Sequence, residues 1–216
     1  MKNKLRGRIL IAAGALLLMA AVSLVLFNRY RDHAAGEHAS ETLVQVKQYI
    51  EKQPPADTSP AQPGDNAPGE ASPDEAETET QEQQELTPLE LDGEQYIGMI
   101  SIPKLGIELP VMRDWTEQNM ATAPCRYSGS AVRRDMVICA HNYSSFFKGL
   151  DTLMPGDEVI YTLLSGKQYR YEVSWSELIN GWDTPQMTDG SENWDLTLFT
   201  CTWSGWSRVT VRCNLI

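Results

Sequence analysis

The chain carries a cysteine, a histidine and an arginine, each at the end of a stretch that reads as a β-strand, and their side chains would combine chemically. Residues 195–213 run D-L-T-L-F-T-C-T-W-S-G-W-S-R-V-T-V-R-C. Leu196, Leu198 and Thr200 alternate with Thr197, Phe199 and Cys201, which is the period of a half-buried strand, and residues 208–214 repeat the alternation with Val209 and Val211 on one face. Between them, residues 202–207 hold Ser204, Gly205 and two tryptophans, the composition of a short loop. Cys201 therefore closes one strand while Arg208 opens its neighbour, with thiol beside guanidinium. His141 follows the apolar run 136–140 and precedes Asn142, again where a strand hands over to a loop. A thiolate attacks a carbonyl, an imidazolium protonates a departing amine, and a fixed cation stabilises the oxyanion or holds the substrate backbone. Taken singly, a strand cysteine is usually a core residue and a histidine a satisfied polar one, so the weight rests on their joint occurrence.

The elements that must position these groups begin near residue 95. Ile97, Met99 and Ser101 alternate with Gly98, Ile100 and Ile102, residues 103–106 punctuate, and residues 107–111 resume, giving two strands around a turn. A helical turn is expected over 116–123, a loop over 128–130 and a strand over 136–140. The spacing of Phe146, Phe147, Leu150 and Leu153 predicts a short helix over 144–153. Strands 158–163 and 168–175 form a hairpin about Ser165 and Gly166, and 176–194 is a longer connection with Gly181, Pro185 and Gly190. Seven or eight short strands with little helix imply an all-β fold, a closed antiparallel barrel.

T-L-F-T-C, an arginine in the next strand, the upstream histidine and the opening strand Y-I-G-M-I-S-I-P-K-L-G-I-E-L-P-V together resemble the sortase family of Gram-positive bacteria. The resemblance runs from about residue 96 to 215. It implies the eight-stranded sortase β-barrel and transpeptidation: Cys201 attacks the threonine carbonyl of an LPXTG-like sorting signal, His141 protonates the departing amine, and an amine from lipid II or a pilin resolves the acyl-enzyme. Arg208 would hold the substrate backbone or the oxyanion, being the arginine that opens the last strand, although Arg212 shares its strand face. The 176–194 connection corresponds in position to the family's substrate-selecting loop, which makes Trp182 and Met187 candidate substrate contacts or, equally, residues packed on the barrel. The family commonly has glycine before the histidine, and here it is Ala140. No D-P-aromatic lid of the pilus-building class precedes Tyr96, which leans the reading toward a general anchoring type. No carboxylate cluster marks a calcium site, and no cofactor is implied. An L,D-transpeptidase would share the Cys-His chemistry, but its S-x-G-C signature is absent around Cys201; a non-catalytic cell-wall-associated β-domain would instead bury the thiol away from His141.

A thiol of pKa ~8.5 and an imidazole of ~6.5, uncoupled, would both be ionised in only about 1% of molecules at pH 7. Strong coupling would ionise most of them, whereas the resemblance implies weak coupling and a small active fraction.

The remaining sequence concerns delivery. The net charge of −11 divides into +4 over residues 1–50, −12 over 51–94 and −3 over 95–216, so the folded part lacks the basic footprint of nucleic-acid binding. Residues 1–8 contain Lys2, Lys4, Arg6 and Arg8, and residues 9–27 are free of charge; at 1.5 Å per residue this segment is about 28 Å long, enough to span a bilayer. It runs into Asn28, Arg29, Tyr30 and Arg31 rather than a cleavage site, so a retained single-pass anchor is expected, with residues 1–8 cytoplasmic and the rest extracytoplasmic. Leu43, Val46 and Ile50 suggest a marginal stalk helix within residues 28–53, and the acidic, Pro-rich residues 54–94 a disordered linker, before the catalytic domain at 95–216. Cys125, Cys139, Cys201 and Cys213 form no C-x-x-C pair, which argues against zinc. Cys139 and Cys213 sit in apolar strand patterns, as buried thiols do, and a disulfide among Cys125, Cys139 and Cys213 stays open.

Overall fold

A computed structural model describes residues 2–53, 73–188 and 193–216. The alternating apolar stretches become nine strands: β1 (Leu89–Leu91), β2 (Glu94–Ile102), β3 (Ile107–Met112), β4 (Cys125–Ser128), β5 (Met136–Ala140), β6 (Glu158–Leu163), β7 (Gln168–Asn180), β8 (Leu196–Cys201) and β9 (Ser207–Leu215). They pair in the order β1-β2-β3-β4-β5-β8-β9-β7-β6, and a further β2–β6 pairing closes β2 to β9 into an eight-stranded barrel. The pairing is antiparallel except at β3–β4 and β5–β8. The expectation of a wholly antiparallel barrel is corrected there. Parallel neighbours need a crossover, which the β6–β7 hairpin supplies before the chain re-enters beside β5, and no local residue pattern reports that.

One face of the strands supplies the larger core, with Ile100, Ile138, Ala140, Leu196, Leu198 and Val211 among its buried members. Alternate residues on the other face, including Tyr96, Met112, Cys125, Cys139 and Phe199, form a second buried cluster. All four cysteines are free; Cys125 and Cys139 are register partners on β4 and β5, and both are buried. Burial pushes the Cys125 and Cys213 thiols up to about 12 and the Cys139 thiol higher still, so these three are inert packing groups.

The N-terminal elements differ from expectation. A single helix, α1 (Lys2–Glu51), replaces a span and a separate weak stalk. Its residues from Gly7 are long and apolar enough to cross a membrane, and the most hydrophobic window is fully exposed. Its last third is no free stalk, because Ala35, Ala39, Thr42 and Val46 are buried against the barrel and Lys47 bonds Glu108 at 2.5 Å. Docking supplies the stability that an isolated helix of this length lacks in water. Within the stretch expected to be a disordered linker, α2 (Pro73–Glu85) is helical and β1 pairs with β2, while residues 54–72 lie outside the described residues. Glu85 pins α2: its carboxylate accepts from the Ala131 and Val132 amides at 2.8 and 2.9 Å, and Leu86 packs on the core. The acidic composition hid this buried anchor.

Two further corrections lie near the site. The expected helix over 144–153 is instead a run of turns ending in a 3-10 turn at Leu150–Thr152, because Ser144 and Ser145 are engaged by Asp32 of α1 while Phe146, Phe147 and Leu150 are drawn into the core. Strand β7 continues five residues past Trp175 to Asn180, which shortens the following connection to α4 (Thr184–Thr188) and its flanks.

Candidate active site

Strand register brings the three sequence-selected residues into one row. In the parallel β5–β8 pair, Cys139 faces Phe199 and Ala140 faces Thr200, so His141, the next residue, stands beside Cys201. In the antiparallel β8–β9 pair, Cys201 faces Arg208. Side chains alternate along a strand and in-register neighbours share a face. The order across the sheet is therefore His141, Cys201, Arg208, on the face of Phe199 and Cys139 and opposite the face of Ala140, Leu198 and Val211. Thr200 Oγ1 donates to the Ala140 carbonyl at 2.8 Å and ties the two strand ends together directly beneath the pair. Cys201 is only half-buried, which distinguishes it from the other three cysteines.

Each member has its own support. The His141 ring lies against Tyr143, with centroids 4.9 Å apart, and Tyr143 leans in turn on buried Phe146 at 5.5 Å. Burial lowers the His141 pKa from its ordinary value, Arg31 of α1 lowers it further, and Glu117 at the start of α3 (Glu117–Met120) opposes them. A lowered imidazole pKa means less imidazolium at pH 7. Arg208 donates through Nη1 to the Gly205 and Ser207 carbonyls at 2.9 and 3.2 Å. It can lie there because residue 181 is glycine: a Cβ at that position would come within 2.8 Å of Arg208 Nη1 and 3.0 Å of the Trp206 carbonyl. The Gly181 amide also donates to the Trp206 carbonyl at 2.9 Å, so the loop after β7 and the β8–β9 loop are coupled through their backbones. On the same face as Cys201, two residues earlier in β8, Phe199 meets Tyr127 edge to face at 5.4 Å, and Tyr127 meets Trp115 at a tilt at 5.6 Å.

Arg212 shares the strand face of Arg208 but has another environment. It is 1% exposed and donates to Glu177 Oε1 at 3.1 Å, Thr197 Oγ1 at 2.8 Å, the Met187 carbonyl at 3.1 Å and the Gln186 carbonyl. Its guanidinium also lies over the Trp194 ring at 4.8 Å. Burial lowers its pKa and Glu177 raises it. Arg212 is thus the buried fastening of the β7–β8 connection, leaving Arg208 as the arginine next to the thiol.

The sequence profile of the Sortase domain matches residues 100–216, more than half of the chain. The chain belongs to the sortase family. Sortase A of Bacillus anthracis is 29% identical over 122 residues, covering 54% of this chain and 57% of that protein, so the match spans little more than half of the relative's length. Among solved structures, a sortase D5 transpeptidase of Clostridium perfringens superposes with a TM-score of 0.57 at 20% identity, over 83% of this chain and 99% of that one. A sortase C of the same organism, solved with the C-terminal cell wall sorting motif, gives a TM-score of 0.57 at 18% identity over 82% and 99%. These two likenesses speak for the barrel fold.

Within this sortase fold the two loop candidates separate. Trp182 is 81% exposed beside the Arg208 loop, whereas Met187 is 4% exposed and packed in the second cluster, so it is a core residue under the loop rather than a substrate contact. Sequence reasoning left out Asp32, Tyr143 and Gly181. Asp32 acts across 112 residues, a separation no local pattern can report. Gly181 carries a weak signal, a glycine directly after a strand pattern. Among the described residues no cluster of His, Cys, Asp or Glu is placed to hold a metal ion.

Proposed function

We propose that this protein is a membrane-anchored cysteine transpeptidase acting on LPXTG-like sorting signals. The observation that carries the reading is the single row of His141, Cys201 and Arg208 at the strand ends, with Cys201 the one cysteine of the four that is not buried. The Cys201 thiolate attacks the threonine carbonyl; as the C–N bond breaks, the His141 imidazolium gives its proton to the departing amine, leaving a thioester. Arg208 balances the charge of the oxyanion between these steps. An acceptor amine then attacks the thioester, His141 takes its proton back, the S–C bond breaks, and the Cys201 thiolate is restored. Trp182, exposed at the lip, serves as a contact for the sorting signal.

Residues 9–27 form the span, with residues 1–8 inside, in keeping with four basic residues before it and two immediately after. Asp32 is already in contact with the loop after His141, and it lies five residues beyond Phe27, about 7.5 Å along the helix. The catalytic row is thereby kept close to the outer membrane surface. That placement favours a lipid-linked wall precursor such as lipid II over a pilin amine as acceptor.

The test is mass spectrometry of the full chain in detergent, incubated with peptides of the LPXTG pattern, in wild-type and Cys201→Ala forms. An adduct on Cys201 equal to the peptide minus its C-terminal fragment is expected only in the wild type. A chain that alkylates at Cys201 yet forms no adduct with any such peptide would remove the sorting-signal reading.

A further inference from the structure

We propose that α1 works as more than an anchor: Asp32 is a positioning residue that holds the His141 loop in register with Cys201. One Asp32 carboxylate receives four hydrogen bonds from two consecutive loop residues. Ser144 donates its amide at 3.1 Å and its hydroxyl at 2.6 Å to Oδ2, and Ser145 donates its amide at 3.5 Å and its hydroxyl at 3.1 Å to Oδ1. The Ser145 hydroxyl also lies 3.3 Å from the Asp32 carbonyl. Ser144 is three residues after His141, and Tyr143, against which the imidazole rests, is the residue just before this latch.

A second observation on the same helix agrees. Gly36, one turn after Asp32, lies so close to the loop that a Cβ there would be 2.8 Å from Ser145 Cβ. The helix and the loop are fitted to each other at both points. Partial burial alone would raise the Asp32 carboxyl, and the hydrogen bonds from Ser144 and Ser145 outweigh it, keeping the group below the ordinary carboxylate range. Without the latch, the loop between His141 and the buried Phe146 would keep only the partly buried Tyr143 as an anchor, so the ring against which His141 rests would lose its polar support. The same helix places Arg31 near His141, and thus both the geometry and the charge state of the histidine depend on a segment outside the barrel.

The role rests on the transpeptidase reading, and the experiment separates the two. The full chain in detergent is prepared as wild type, Asp32→Ala and Gly36→Leu, the last a wedge that parts helix and loop while keeping the carboxylate. Three quantities are read: Cys201 alkylation by iodoacetamide, the single-turnover rate and half-saturation for a sorting-signal peptide, and the His141 imidazole resonances, assigned with His141→Gln. Both variants should alkylate at the wild-type rate, acylate about 10- to 50-fold more slowly with half-saturation within twofold, and show a broadened or displaced His141 signal. Wild-type acylation rates and an unmoved His141 signal in both variants would overturn the proposal, as would alkylation and acylation falling together. If even the wild type fails to acylate, the transpeptidase reading fails, and the His141 resonances still decide whether Asp32 positions the ring.

Discussion

The two arginines on one face of β9 offer the sharpest test, because Arg212 is buried in a hydrogen-bond network whereas Arg208 is only partly buried and stands opposite Cys201. Replacing Arg212 by Ala removes a guanidinium that is 1% exposed and leaves the Gln186 and Met187 carbonyls and the Thr197 hydroxyl without their donor. Each unpaired buried group costs about 1 to 3 kcal/mol, and breaking a buried ion pair about 3 to 5 kcal/mol. These costs overlap, and the 35% exposed Glu177 side chain regains water, so a net loss of about 3 to 5 kcal/mol follows. At roughly 3 °C per kcal/mol for a domain of this size, the melting midpoint should fall by about 10 to 15 °C. Replacing Arg208 by Ala removes only bonds to two carbonyls of the β8–β9 loop, so the midpoint should move by less than about 3 °C. The acylation rate should nevertheless fall roughly 10²- to 10³-fold, the usual cost of losing an oxyanion partner. Near-UV circular dichroism melts and single-turnover acylation below both midpoints read the two effects separately. If Arg208→Ala destabilises as much as Arg212→Ala, or if Arg212→Ala leaves the midpoint within about 3 °C, the division of labour is wrong.

Other substitutions probe the same row from its neighbours. Gly181→Ala should displace the Arg208 guanidinium and slow acylation about tenfold with little change in melting, because its Cβ would meet Nη1 at 2.8 Å; equal rates in the two forms would show that Arg208 has room to yield at no cost. Arg31→Gln removes a cation that lowers the His141 pKa, so the imidazolium persists to higher pH. For a thiolate–imidazolium active form, the acid limb of the acylation profile should then move upward and the plateau rise, and an unchanged acid limb would sever Arg31 from His141. Val46→Asp places a charge in the buried contact of α1 with the second cluster and should release the docked helix, seen as rapid proteolysis within residues 33–51; wild-type resistance would contradict the docking.

The juxtaposition of the three candidate residues was legible in the sequence because they sit at strand ends where the local pattern is strong. Once Thr197, Phe199 and Cys201 are known to share a face, a two-strand register suffices to place Arg208 beside the thiol, and the loop of residues 202–207 fixes that register. The place of His141 needed more: β5 and β8 are parallel and separated by more than fifty residues, so their pairing was available only through family resemblance. The same limit explains the helix misread over 144–153. Its apolar spacing is real, but Phe146, Phe147 and Leu150 point into the barrel from turns, and Ser144 and Ser145, just before them, are claimed by a carboxylate from α1.

The end of α1 and the α2 segment were misread for a related physical reason. Propensity and composition judge a segment as though it stood alone, and alone the end of α1 and the acidic α2 are poor structures. Each is instead stabilised by contacts with the barrel: buried Ala35, Ala39 and Val46 for one, buried Glu85 and partly buried Leu86 for the other. Burial raises the Glu85 pKa while the two backbone donors lower it, and the net shift is upward. A carboxyl whose folded pKa lies above its unfolded value binds more protons when folded, so its contribution weakens as pH rises through that raised pKa. Asp32 has the opposite sign: its folded pKa is depressed, so its contribution is present above the ordinary carboxylate pKa and is lost only as pH falls through the lowered one. The two attachments of the barrel to its N-terminal segments should therefore respond oppositely to pH. Hydrogen exchange at neutral against mildly acidic pH reads this directly, with α2 amides expected to gain protection on acidification while those of the α1 turn beside Ser144 keep theirs. Parallel behaviour at both attachments would mean that Glu85 and Asp32 do not control them.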